Sequence, residues 1–217
     1  MVHTRRLLPL FPLNMVLFPG AVVPLHIFED RYKMMIQMCL DDNSEFGIVL
    51  IKSGSEVGAA AEPHHVGTVA RIMDVEHVDQ GRLRISVIGQ KRFQISQITQ
   101  KLPHIEALVD ILDEDDGRTL SEKDMEALRT AAVNHIRLLE GLNGGWMKDP
   151  VLPDSLVDLS YFLAIRVRAA NEEKQALLEE MHATERLRTE VAIIQRNEEW
   201  LRTRVSDEMI RRSNGME

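Results

Sequence analysis

The hydrophobic period of this 217-residue chain changes once, across Asp113-Glu-Asp-Asp-Gly117, and that change constrains the fold more than any other feature. On its N-terminal side, residues 6–112 are short apolar and β-branched runs bounded by Gly, Pro and Asp, the pattern of strands. Phe46-Gly-Ile-Val-Leu-Ile51 is a continuous apolar run suited to a buried strand, and residues 65–78 mix branched and polar residues about Gly67. From Arg82 the chain alternates, Leu83, Ile85 and Val87 facing one way and Arg82, Arg84 and Ser86 the other. Phe93, Ile95 and Ile98 continue the apolar spacing beyond Gly89, and residues 105–112 form a last strand. Asp79-Gln-Gly81 predicts a tight turn. One helix interrupts the set near residues 29–40, with Tyr32, Met35, Ile36 and Cys39 on one side.

Beyond Gly117 the spacing is helical. Ser121 followed by Asp124 predicts a capped helix start, and Asn143-Gly-Gly145 a stop, with residues 146–153 as a loop. Asp154 is expected to cap a second helix carrying Leu156, Leu159, Phe162 and Leu163. A third spans about residues 172–181, and the last starts near Thr184. Leu187, Val191, Ile194, Leu201 and Val205 recur along it at amphipathic spacing, with Glu198 breaking the stripe. The acidic 113–117 segment reads as a solvated loop, since it lacks the alternating ligands and terminal Glu of a calcium loop. The expected fold class is α+β, with a β-rich subdomain over 1–117 and a helical one over 118–217 that ends in a long amphipathic helix.

This length and a 44% apolar content support a core without a disulfide or metal staple. A lone cysteine, Cys39, fits a reducing, cytoplasmic setting. The apolar stretch from Leu7 to Leu25 follows Arg5-Arg6 as a signal peptide would, but Pro9, Pro12, Pro19 and Pro24 break any helix there, so it reads as extended strands and turns. No other apolar run is long enough to span a membrane, and no membrane partner is expected. Net charge is −8; residues 1–110 carry 11 basic and 12 acidic side chains and the remainder 15 and 22, so neither half has the basic excess that phosphate backbones require. An aromatic content of 5% leaves few stacking platforms for bases.

Catalytic apparatus is missing from the sequence. It holds no Gly-Lys pair for a phosphate loop, no G-x-G dinucleotide fingerprint, no G-x-S-x-G elbow and no H-E-x-x-H zinc motif. His64 and His65 are adjacent in a strand and point to opposite faces, which disfavours a shared metal. Cys39 ends an apolar helix face and reads as a small core residue. No cofactor and no metal is expected.

Three ordered motifs carry a family resemblance. Leu8-Pro-Leu-Phe-Pro-Leu13, Val16-Leu-Phe-Pro-Gly20 and Pro24-Leu-His-Ile-Phe-Glu-Asp-Arg-Tyr32 open the chain. Val66-Gly-Thr-Val-Ala-Arg-Ile72 and Leu83-Arg-Ile-Ser-Val-Ile-Gly-Gln-Lys-Arg-Phe93 follow, and Asn171-Glu-Glu-Lys-Gln-Ala-Leu-Leu-Glu179 with Glu185-Arg-Leu187 completes the set. Together they resemble the substrate-binding N-terminal domain of Lon proteases. The resemblance implies a PUA-like β pseudo-barrel followed by a C-terminal α-helical bundle, and a role in engaging protein substrates. The ATPase and Ser–Lys protease segments of Lon have no counterpart here, so the expectation is a stand-alone binding module and not an enzyme.

Eleven methionines suit a surface that adapts to varied apolar partners, and Met34, Met35 and Met38 crowd one short helix whose core cannot take all three. The candidate binding residues are Phe28, Tyr32, Met34, Met35, Met38, Trp146 and Met147, although side chains such as Phe28 and Tyr32 serve packing more often than recognition. Expected partners are unfolded or apolar polypeptide segments, or one dedicated protein. An RNA-binding PUA-like module is the alternative, opposed by the acidic balance. A homodimer through the C-terminal helix stays open.

Overall fold

The computed structural model describes residues 4–56, 58, 61–143 and 150–214. Its elements are β1 (Arg5–Leu13), β2 (Val22–Ile27), α1 (Asp30–Asp41), β3 (Phe46–Ser53), β4 (Glu62–Val78), β5 (Arg82–Gln100), β6 (Ile105–Ile111), α2 (Glu122–Leu142), α3 (Leu156–Ala164), α4 (Asn171–Glu179) and α5 (Ala183–Asn214). They form two compact units. Residues 1–113 with 171–179 make the first, and residues 114–170 with 180–217 the second.

In the strand-rich unit the strand order is β2-β5-β4-β3-β1-β6, and β5 pairs again with β6. That extra pairing closes five strands into a ring and leaves β2 attached outside it, a pseudo-barrel of the expected kind. Among the described strands of this sheet, β1–β3 is the one parallel pair. The strands predicted around residues 82–88 and 93–98 are one continuous β5, which bends through two register shifts against β4 and so serves both the ring and the β2 extension.

The inside of the ring is filled by Leu8, Leu10, Val49, Val69, Phe93, Ile95, Ile105, Ala107 and Val109. The Phe93 ring crowds two glycines there. A Cβ on Gly47 would lie 2.7 Å from the Phe93 ring, and one on Gly67 would lie 2.7 Å from that ring and 2.5 Å from the Ile48 carbonyl. Both positions need glycine because the ring, with Leu10 at the first and Ile48 and Val49 at the second, occupies their side-chain space. On the outer side of β1 and β3, Tyr32, Met35, Ile36 and Cys39 of α1 are buried, and Phe11 stacks on Tyr32 with centroids 4.2 Å apart.

Helix α4 belongs to this unit although it lies far along the chain. Leu177 and Leu178 are its buried apolar residues, and three polar contacts fix it. Gln175 Nε2 donates to the Val66 carbonyl (3.0 Å), Asn171 Nδ2 to the Asn14 carbonyl (2.8 Å), and fully buried Arg92 to the Leu178 carbonyl (2.8 Å). The last places a cation at the helix C-terminus, where the dipole is negative.

The helical unit packs α2 and α3 against α5. Ser121 caps α2 as predicted, its hydroxyl accepting the Asp124 amide. The α3 cap is Ser155, one residue beyond the expected Asp154, because its hydroxyl reaches the Asp158 amide. The buried stripe of α5 contains Leu187, Ile194, Leu201 and Val205 but also Arg186 and Glu190, both fully buried. Arg186 is held by Ser160, Tyr161 and the Glu180 carbonyl, with Glu114 at 3.6 Å. The acidic segment is therefore not wholly solvated: Glu114 also accepts the Tyr161 hydroxyl at 2.7 Å. Both carboxylate oxygens of Glu190 lack a hydrogen-bond partner among the described residues, and burial pushes that carboxyl well above the usual carboxylate range.

Candidate functional site

Met34 and Met38 lie one helical turn apart on α1, adjoining the face that packs on the sheet. Each is 51% exposed, and Phe28, just before the helix, is 50% exposed. Met35 and Tyr32 are different. They point into the core with 1% and 5% of their surface exposed, because residues 32, 35, 36 and 39 form the helix's inner face. The structure thus splits the set read from the sequence into three surface side chains and two core ones. Trp146 and Met147 lie outside the described residues.

Beside Phe28 is a cleft of about 270 Å³ lined by the apolar side chains of Phe11, Leu13, Pro24, Leu25, Ile27, Phe28 and Tyr32, together with His26, Glu29 and Glu56. Five consecutive residues, Pro24 to Phe28, line it. Side chains alternate faces along a strand, so a hollow lined by an unbroken run lies against the strand's edge and not on one of its faces. The acidic lining is partly neutralised: Glu29 pairs with Arg31 at 3.1 Å and accepts the Gly58 amide at 3.2 Å. Glu56 accepts the Asn14 amide at 3.3 Å. The Arg31 guanidinium sits 4.5 Å over the Tyr32 ring, and burial pushes the Tyr32 hydroxyl above its usual range.

The buried Cys39 thiol is pushed up by burial and makes a long contact to the Glu45 carbonyl. The His64 ring faces Glu179 at 3.6 Å. Among the described residues no three His, Cys, Asp or Glu side chains gather as a metal site would require, and no helix is long and apolar enough to cross a membrane.

A second hollow lies in the helical unit between α2 and α5, about 490 Å³, lined by Lys123, Glu126, Thr130, His135, Gln195 and Glu198 among others. Sequence reading missed it. Its lining comes from two helices distant in sequence, and its residues read as two ordinary solvated faces. Burial pushes the His135 imidazole below its usual range.

Comparison with known proteins shows the family and the fold. The family model for the ATP-dependent protease La (LON) substrate-binding domain matches residues 7–196. Lon protease 2 of Myxococcus xanthus is 30% identical over 207 residues, covering 91% of this chain and 24% of that protein. Lon protease of Anaeromyxobacter dehalogenans is 27% identical, covering 90% and 24%. The chain therefore spans about a quarter of the length of the relatives it matches. Among solved structures, a Lon N-terminal domain protein from Xanthomonas campestris superposes with a TM-score of 0.65 at 28% identity, covering 86% of this chain and 98% of that one. The N-terminal domain of Mycobacterium avium complex Lon protease shares the fold at a TM-score of 0.58 and 20% identity.

Proposed function

Because the chain belongs to the family of Lon substrate-binding domains, we propose that its strand-rich unit binds exposed apolar segments of protein substrates at Phe28, Met34, Met38 and the adjoining cleft. One observation carries this reading: three large apolar side chains stand half exposed on and just before α1, and the first of them borders an apolar hollow. Scattered exposed apolar residues are ordinary, whereas apolar residues gathered beside a hollow mark contact surfaces. Methionine adds adaptability, since an unbranched, polarisable side chain fits differently shaped partners without a fixed pocket.

Binding here draws on area removed from water, at about 25 cal/mol per Å² of apolar surface, and needs neither cofactor nor bond-making. Apolar burial is little screened, so affinity should hold as salt rises. Fluorescence anisotropy with a labelled, permanently unfolded polypeptide, and in parallel a labelled single-stranded RNA, tests it at low and high salt. The expected result is salt-tolerant polypeptide binding, weakened about tenfold by Phe28→Ala if that ring is an anchor. RNA binding that collapses with salt, with no affinity for the polypeptide, would contradict the proposal.

A further inference from the structure

The cleft runs beside a strand edge whose main-chain groups pair with no other strand among the described residues. Gly89 donates to the Ala21 carbonyl and accepts from the Gly20 amide, both at 2.9 Å, so its peptide groups point toward the chain leading into β2. Antiparallel strands alternate bonded and non-bonded pairs, and β2–β5 runs from Val22↔Ile88 to Ile27↔Leu83 without a register shift. Val87, Ile85 and Leu83 therefore face β2 and exchange bonds with Val23, Leu25 and Ile27. Val22, Pro24 and His26 turn their peptide groups the other way. Pro24 fits this phase, since it has no N–H to give β5.

Among the described residues no strand pairs with that outer edge. It offers the N–H of Val22 and His26 and the carbonyls of Val22, Pro24 and His26, two residues apart along the strand. Another open stretch, residues 71–78 of β4, carries Arg71, Asp74 and Glu76, has a register shift between Ile72 and Asp74, and lines neither hollow described above. Charge and a bulge are devices that close an edge to pairing. Along β2 the only such device is Pro24, which removes one donor and leaves every acceptor.

We infer that β2 takes up a substrate segment as an added, extended strand, bonded main chain to main chain along Val22–His26, with an apolar side chain seated in the cleft over Phe11, Leu25 and Tyr32. This rests on the binding role proposed above and specifies the conformation recognised there. Main-chain pairing gives affinity that depends little on sequence, and the cleft adds a preference for an apolar residue at one position. Charge sets a second preference. Glu29 is already paired with Arg31, while Glu56 meets no cation among the described residues, so a segment with Lys or Arg beside its apolar residue suits the cleft.

Backbone N-methylation separates an added strand from apolar capture of an irregular chain. The probe is a fluorescein-labelled short peptide of alternating valine and lysine, alongside one form methylated at every valine nitrogen and one at every lysine nitrogen. Each methylated form blocks one edge of the peptide and leaves its side chains alone. The expected result is that one form loses affinity at least about tenfold while the other stays within about twofold, since roughly two main-chain hydrogen bonds are at stake. Slowed exchange of the His26 amide on peptide binding, with Leu25 unchanged, should accompany it. Glu56→Gln should weaken the lysine-bearing probe. Equal binding by all three peptides, equal loss by both methylated forms, or failure of the probe to bind while an unfolded polypeptide still does, would overturn the added strand and leave apolar capture standing. Failure of both ligands to bind would overturn the two together.

Discussion

Neighbouring methionines on α1 should behave oppositely. Met35 is enclosed between helix and sheet, so Met35→Ala should cost about 2–5 kcal/mol in urea unfolding through lost burial and the cavity left behind. Met34→Ala and Met38→Ala should change stability by no more than about 0.5 kcal/mol while weakening polypeptide binding. At Gly67 an added methyl meets the Ile48 carbonyl and the Phe93 ring, so Gly67→Ala should destabilise by about 1–3 kcal/mol or more, because backbone cannot yield as a side chain can. Glu190 makes a pH prediction. Its buried carboxyl keeps its proton above the usual carboxylate range, whereas in the unfolded chain it ionises there. The folded state then binds the extra proton, and stability falls as pH rises from that range toward the raised folded value. Glu190→Gln should match wild type in acid and exceed it increasingly as pH climbs, by urea unfolding at a series of pH values. A difference that does not change with pH would contradict that account. Arg186 and Glu190 were not legible beforehand, since charged residues at helical spacing read as a solvated face until a structure buries them.

At the scale of elements, period and punctuation carried most of the information. The alternation of residues 82–88 and the apolar run at 46–51 identified β5 and β3, and Ser121 marked the start of α2. The α3 start slipped by one residue because Asp154 and Ser155 are both competent caps, and only geometry decides which oxygen reaches an amide. Helix α4 is the deeper failure of sequence reading. Leu177 and Leu178 look like any bundle residues, and nothing in a helical period says which neighbour they meet. Gln175 and Arg92, which bind α4 to the strands, are residues a periodicity search discards as polar. Gln175→Ala should leave the Val66 carbonyl without that donor and cost about 1–3 kcal/mol. Amide exchange in α4 should then speed up more than exchange in the ring strands; uniform acceleration throughout would show that α4 is not held by this contact.

At the scale of the molecule, the α+β class and the pseudo-barrel were legible because three ordered motifs and the change of period agreed. The binding surface was legible only in part. Residue type nominated Phe28, Met34, Met35 and Met38, and it could say that one helix core has no room for three methionines. It could not say which of them emerge, nor show a cleft that Phe11 and Glu56 complete from distant parts of the chain. The measurement that tests the central claim most directly is the affinity of a permanently unfolded polypeptide for a Phe28→Ser, Met34→Ser, Met38→Ser variant, with its urea unfolding recorded beside wild type. All three side chains are half exposed, so the variant should unfold as wild type does. The account predicts binding about tenfold weaker or worse. Unchanged affinity in a variant of unchanged stability would place substrate binding elsewhere on the protein.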